Sequence, residues 1–312
     1  MGLSRTRQRP GRGDATYRGP VAVPIGLAGA GRRAQDVYAP ALSACPDVDL
    51  VAVWGRSAPR VQQLAERHGA APCERFEDLA ERCAAIVFAV PPAVQQEYAV
   101  RAARHGRGLL LEKPIGEDIA GAEELTSVAV RERVPTMVAL PWRFTPGVRR
   151  FLATDVPAID PVGGVGRLYT RSHAPGAATP AWRLARGVLR EQAADLLDLL
   201  EAALGTVVGL HAHGHQEGWV GIMLDHQVGR YSEASLYAGL TEGGDRAEVE
   251  LVGRRGTAQV DAGAVAPGLY EQMVAEFARA VTEVRPHRLD VEHGLHLQRL
   301  VESAQSDLLL HG

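Results

Sequence analysis

The run Gly26-Leu-Ala-Gly29-Ala30-Gly31-Arg32-Arg33-Ala34 fits the pattern G-x-G-x-x-(G/A), with Ala34 at its third small position. Each of these residue types has a task in cradling a pyrophosphate. Gly29 permits a tight turn, Gly31 lets backbone amides approach the phosphates, and Ala34 lets a following helix pack close to the preceding strand. A helix that starts here aims its free N–H groups and positive dipole end at the anion. Gly29, Ala30, Gly31, Arg32 and Arg33 are therefore candidate contacts to a dinucleotide. The segment Val48-Asp-Leu-Val-Ala-Val-Trp-Gly55-Arg56-Ser57 bears on which dinucleotide. An acidic residue at its end would bond both ribose hydroxyls of NAD and repel a 2′-phosphate. Here Gly55 leaves room, Arg56 offers a guanidinium fork and Ser57 a hydroxyl donor, which favours NADP with NAD still open. His211, His213 and His215 alternate along one strand and so share a face. Three imidazoles can bind a metal, but a solvated or interface sheet face is the expected reading, and no metal is expected.

These groups must be positioned by regular elements. From Pro20 to about Leu140, the short apolar runs VAVPIGLAG, VDLVAVWG, AAIVFAV, GLLLEKP and PTMVAL read as strands, and amphipathic stretches such as APRVQQLAERHG lie between them. Strands apolar throughout are buried on both faces, hence a parallel sheet covered by helices. The expected fold is α/β, a doubly wound Rossmann domain over 21–142. A second, α+β domain over 143–312 begins with a helix around GVLREQAADLLDLLEAALG. It continues with VVGLHAHGH, WVGIMLDHQVG, YSEASLYAG and AEVELVGRRGTAQVD. These alternate apolar and polar residues, as suits an open, mostly antiparallel sheet with one solvated face. Two helical patterns close the chain.

Length and composition fit this picture. A chain of 312 residues, 46% hydrophobic and 23% charged with a net charge of −3, is an ordinary two-domain globular sequence. Nucleic acid is not an expected partner, since there is no global basic field. No apolar run reaches the ~20 residues that cross a bilayer, so no membrane is expected either. Residues 1–20 are rich in Arg, Gly and Pro and lack a signal peptide's apolar core, which reads as a disordered tail. Cys45, Cys73 and Cys83 are odd in number without metal-ligand spacing, as buried thiols of a cytoplasmic protein would be.

With AVPPAVQQ, LLLEKPIG and PWRFTPGVRRF added, the chain resembles the glucose–fructose oxidoreductase/inositol dehydrogenase/rhizopine-catabolism (Gfo/Idh/MocA) family of NAD(P)-dependent oxidoreductases, from about Val21 onward. Glu112-Lys113-Pro114 is the most specific of these matches. The resemblance implies a homodimer or homotetramer built through the C-terminal sheet. It implies that Lys113 points into the cleft beside the nicotinamide as acid/base. Hydride added to a carbonyl carbon builds charge on oxygen, and a nearby ammonium stabilises that charge and delivers the proton. It also places Pro91, Glu112, Arg143, Trp182 and Arg183 along the cofactor. The family often has Thr before the Pro91-Pro92 pair and His a few residues later, where this chain has Val90 and Gln95.

A second departure is chemical. Where many members carry D-x-G-x-H-x-x-D, this chain reads Glu191-Gln192-Ala193-Ala194-Asp195-Leu196-Leu197-Asp198, so Asp195 stands in the place of the family's catalytic His. Residues 191, 195 and 198 share one helix face, either lining the cleft or solvated. An ordinary Asp is ionised at neutral pH and cannot act as an acid, unless burial raises its pKa. Asp195 and Asp198 are thus candidates for orienting Lys113, for binding substrate hydroxyls, or for catalysis. The expected activity is hydride transfer on a small polyhydroxylated, sugar- or cyclitol-like substrate with NADP(H). The alternatives are reduction of a C=N bond, or an NADP(H)-binding sensor with a degenerate site.

Overall fold

The computed structural model describes residues 22–263 and 267–311; the tail expected over 1–20 lies outside them. The first half is a six-stranded sheet of β1 (Val23–Ala28), β2 (Val48–Trp54), β3 (Ala71–Cys73), β4 (Ala85–Phe88), β5 (Gly108–Leu111) and β6 (Thr136–Val138). Their order is β3-β2-β1-β4-β5-β6 and every pairing is parallel. Between them run α1 (Ala39–Ala44), continuing a π-helical turn at Ala34–Tyr38, then α2 (Ala58–His68), α3 (Phe76–Arg82), α4 (Pro92–Arg104) and α5 (Ile119–Arg131). Strands β4 and β5 are buried at every position, as a sheet covered on both faces requires. The one strand of this sheet absent from the apolar runs is β3. It is three residues long, carries Pro72 and sits at the edge, where a missing ladder donor is tolerated.

The second half adds α6 (Pro146–Arg150), α7 (Val156–Ile159), β7 (Pro161–Tyr169), α8 (Ala181–Leu184), α9 (Gly187–Leu204), β8 (Val207–Gly214), β9 (Val220–His226), β10 (Arg230–Tyr237), β11 (Arg246–Gly253) and β12 (Gly256–Asp261). The sheet order is β12-β11-β7-β10-β9-β8, antiparallel except for the β7–β10 pair. Central strand β7 gave no strand signal, because three glycines dilute its apolar pattern. All three glycines are demanded by packing, a Cβ on Gly163 standing 2.6 Å from the Tyr231 carbonyl oxygen. A Cβ on Gly164 would stand 2.4 Å from Leu251 Cδ2, and one on Gly166 would stand 2.7 Å from Leu196 Cδ1 of α9. The missing Cβ at Gly166 lets α9 lie directly on the sheet, and the one at Gly164 makes room for Leu251 of β11.

The two closing helices tie the halves together. Helix α10 (Leu269–Glu283) packs on α1 and on the turn Pro141–Phe144, while α11 (Val291–His311) touches α5 and β6 on one side and α9 and β8 on the other. The first sheet ends at Val138 and the second begins at Pro161, and α10 and α11 belong to the packing of both halves. No helix among the described residues is long and apolar enough to cross a membrane.

Gly166→Val should cost about 1–3 kcal/mol of stability, the usual penalty for forcing extra atoms into a close-packed contact. Denaturant unfolding measures it, with Gly147→Ala, where a Cβ meets nothing within 4 Å, as the control expected not to lower stability.

Candidate active site

The carboxyl ends of β1, β2, β4 and β5 open onto a cleft of about 990 Å³, walled on the far side by the loop 171–180, Trp182, Arg183, Glu191 and Asp245. Gly29, Ala30, Gly31, Arg32, Arg33, Arg56, Ser57, Pro91, Glu112 and Lys113 line the near side. Ligands of open α/β sheets bind at such a crevice, where the strand order reverses.

The glycine loop has the shape its sequence asks for. Gly29 adopts φ +131°, and a Cβ there would stand 2.4 Å from the Ala89 carbonyl oxygen. Only glycine fits. A Cβ on Gly31 would meet nothing within 4 Å, so this glycine keeps open the space a diphosphate would fill. Ala34 is fully buried beneath the loop. Nearby, Arg56 and Arg60 are exposed on the cleft wall, and Arg32 lies 3.7 Å from Asp36. Among the described residues neither Arg56 nor Arg60 has an ion-pair partner. Arg60 was not singled out from sequence; it lies in the first turn of α2, while Arg56 precedes that helix.

Arg33 is differently occupied. Its Nε lies 2.6 Å from Glu112 Oε1, its Nη1 donates to Tyr270 Oη at 3.3 Å, and its guanidinium packs over the Tyr38 and Tyr270 rings at 5.5 and 5.3 Å. Tyr38 Oη donates to the same Glu112 oxygen at 2.7 Å. Burial, reinforced by Glu112, pushes the Tyr38 phenol up and keeps it a donor. Arg33 therefore braces Glu112 rather than presenting a free fork to phosphate. Gln95, fully buried, clamps the same turn. Its Nε2 donates to the carbonyls of Glu112 (2.8 Å), Pro114 (3.2 Å) and Ile115 (3.2 Å), and its Oε1 accepts from Glu112 N at 2.8 Å. Neither Tyr38, Tyr270 nor this use of Gln95 has a local signature, because each acts across the fold.

Lys113 is fixed at the end of that clamped turn. Its Nζ lies 2.8 Å from Asp195 Oδ2 and donates to the Glu191 carbonyl at 2.8 Å. The two side chains are 17% and 13% exposed, so the pair is largely shielded from water. One of the three ammonium donors is left for the cleft. Asp195 Oδ1 is buried without a hydrogen-bond partner among the described residues. Burial pushes the Asp195 carboxyl up. Lys113 pulls it the other way, and Asp198 and Glu112 add to the rise. Glu191 is held by Arg186 (Nε to Oε1, 3.1 Å) and Arg183 (Nε to Oε2, 3.4 Å), and Arg183 also packs over Trp182 at 5.3 Å.

Arg143 and Asp198 lie elsewhere than expected. Neither lines the cleft. Asp198 is 2% exposed and accepts from Arg143 Nη1 at 2.8 Å, with His293 Nε2 at 2.7 Å on the same oxygen. The carboxylate face of α9 runs into the core at its third member, because α11 and the 141–144 turn close over it. His293, from the far end of the chain, was not foreseen. On the other sheet face, His211 pairs with Asp307 at 2.7 Å and His213 meets the Trp219 ring edge-on.

A parallel sheet carrying a glycine loop, joined to an open antiparallel sheet across a lysine-bearing cleft, defines a Rossmann-type two-domain protein. Residues 23–140 match the model of the Gfo/Idh/MocA oxidoreductase family, described as an NAD-binding Rossmann fold. Among relatives, scyllo-inositol 2-dehydrogenase (NADP(+)) of Bacillus subtilis is 36% identical over 108 residues, 33% of this chain and 32% of that protein. The dTDP-3,4-didehydro-2,6-dideoxy-alpha-D-glucose 3-reductase of Actinomadura kijaniata is 38% identical over 96 residues, 30% and 29% of the two chains. The chain thus spans about a third of the length of these relatives. In fold, a myo-inositol dehydrogenase from Corynebacterium glutamicum superposes with a TM-score of 0.82 at 20% identity, over 93% of this chain and 98% of that one.

Arg143→Ala should cost about 3–5 kcal/mol, because it leaves the Asp198 carboxylate buried beside His293 alone. The double replacement Arg143→Met with Asp198→Leu should recover most of that loss in thermal unfolding. A double variant as unstable as the single one would refute the placement.

Proposed function

We propose that this protein is an NADP(H)-dependent oxidoreductase that moves hydride between a nicotinamide and an alcohol or carbonyl carbon of a small polyhydroxylated substrate. The observation that carries this reading is Lys113. It is the only lysine in a sequence with 34 basic residues, and it stands in the same cleft as the glycine loop. Arginine serves wherever only charge is needed, since a guanidinium does not release its proton in proteins. A lysine in the cleft supplies a group that can. The matched relatives support the substrate class, as both act on polyol or sugar carbons by name.

A bound nicotinamide supplies the hydride or takes it. The chain's own residues do the rest. The Gly29–Gly31 turn and the amides of 30–33 would hold the diphosphate, while the Gly29 amide is bonded to the Trp54 carbonyl at 2.7 Å, and Arg56, Arg60 and Ser57 would read the 2′-phosphate. In reduction, the free N–H of Lys113 bonds to the substrate oxygen, stabilises the growing negative charge and gives up its proton to it. In oxidation the same nitrogen receives the hydroxyl proton. Asp195 and the Glu191 carbonyl fix the direction in which Lys113 points, and Trp182 and Arg183 close the cleft near it. A C=N bond would take its proton from the same nitrogen, so cyclic imines belong in any substrate panel.

Copies associate, in this reading, as a homodimer or homotetramer through the open face of the second sheet, where Met223, Tyr231 and Val252 are exposed at 46%, 59% and 50%. Three free and buried cysteines suit a reducing compartment, and we place the protein in the cytoplasm on that ground.

Lys113→Ala should abolish NADPH oxidation against keto-sugars, cyclitol ketones and cyclic imines while leaving NADPH affinity in place. Tight binding by the wild type with no turnover on the whole panel would instead make it a cofactor-binding sensor. Arg56→Ala should weaken NADPH by about 1.5–3 kcal/mol, the worth of a charged hydrogen bond, and NADH far less. Titration calorimetry with both dinucleotides measures this, and an equal loss for the two overturns the NADP assignment.

A further inference from the structure

We propose that Asp195 is the proton partner of Lys113, so that the two side chains exchange a proton as one unit and Lys113 does not act alone. The inference rests on the reading above and deepens it. Three observations carry it. Asp195 Oδ2 lies 2.8 Å from Lys113 Nζ, a distance at which a proton moves between them without rearrangement. Asp195 Oδ1 is buried and bonded to nothing among the described residues. An ionised carboxylate shares its charge over both oxygens, and here only one oxygen is compensated; a neutral carboxyl loses much less in that setting. Finally, the remaining Lys113 bond goes to a neutral backbone carbonyl, Glu191 O at 2.8 Å, so no second carboxylate ties up the ammonium.

The charged and titratable groups around Asp195 are few. Lys113 and Glu112 face it from the turn after β5, and Asp198 lies one turn along α9. Asp198 is itself bonded to Arg143 and His293 at 2.8 and 2.7 Å, so its charge is locally matched. Burial, then Asp198 and Glu112, favour the protonated form of Asp195, and Lys113 alone opposes them.

In alcohol oxidation the unit starts as ammonium and carboxylate. Lys113 passes a proton from Nζ to Asp195 Oδ2 as it takes the hydroxyl proton of the substrate. The electron pair of the substrate C–H bond would leave with the hydrogen as hydride, which a bound nicotinamide would accept, and the C=O bond would form. The unit ends with one proton more than it began, held as ammonium and neutral carboxyl, and returns that proton to water later. Reduction runs the same steps backward.

The sole lysine makes the test direct. Full-length protein grown on ¹⁵N-lysine gives one side-chain nitrogen resonance, from Lys113. Without cofactor, that resonance should move in one step as Asp195 titrates, at a pH above the ordinary aspartate range because burial raises the carboxyl. Asp195→Asn should remove the step. In turnover, Asp195→Asn should lower kcat for oxidation by about 10²–10⁴-fold and erase the fall of rate toward low pH. Asp195→Glu should restore part of the rate and the low-pH fall. A wild-type resonance with no such step, a step that survives Asp195→Asn, or a variant that keeps the low-pH fall would overturn the proposal. Were the wild type to turn over nothing, the proposed function would fail on its own. The resonance, read without substrate or cofactor, would still decide whether Asp195 and Lys113 share a titrating proton.

Discussion

Helix α9 carries four acidic side chains that cannot be left without a partner. Glu191 is held by Arg186 and Arg183, Asp195 by Lys113, Asp198 by Arg143 and His293, and Glu201 by His296 and the Val207 amide. The partners come from five regions: the segment before α9, the turn after β5, the 141–144 turn, the start of β8, and α11. Breaking a largely buried ion pair from one side costs several kcal/mol, while the intact pair adds little net stability. The pairs therefore act less as glue than as register pins. A shift of α9 by one turn would strand several charges together, so the helix and the cleft wall it carries have one position relative to the Rossmann sheet.

The Rossmann side meets this constraint with its own bracing. Lys113 can pair with Asp195 only if the turn after β5 holds its course, and Gln95 fixes that turn by bonding the backbone on both sides of Lys113. Glu112 is in turn tied to Arg33 at the end of the glycine loop and to Tyr38 beyond it. The diphosphate loop and the proton-bearing nitrogen thus share a rigid path through Arg33, Glu112 and the 112–115 backbone. Tyr270 brings α10 into the same cluster. The closing helices are part of the site's frame, although they contribute no group that touches the cleft between Lys113 and the glycine loop.

What the sequence revealed divides along physical lines. Periodicity and glycine placement act locally, so the parallel sheet, the Gly29–Gly31 loop and the alternating strands β8 to β11 could be read directly. The β7 strand could not, because its glycines answer to α9 and β11 packing from outside the strand. The helical face of residues 191, 195 and 198 was legible as a face, but its surroundings were not. Nothing local shows that α11 closes over Asp198 while Asp195 stays beside the cleft. Arg33 shows the same limit. Its place in the glycine motif suggests a phosphate contact, and only the fold brings Glu112 and two tyrosines around it.

The choice of residues at 113 and 195 follows from this frame. An arginine at 113 would pair with Asp195 and pin α9 equally well, and every other basic residue of the chain is an arginine or a histidine. A histidine at 195 would hold a proton near neutral pH without help. Aspartate does so only where burial works against its charge, and that burial leaves one oxygen unbonded. An asparagine would remove the unbonded charge and still occupy the same space. Retaining an acid with an orphan oxygen against a lone lysine is a local cost that packing alone does not explain, and such costs concentrate where a group must change its charge to do its work.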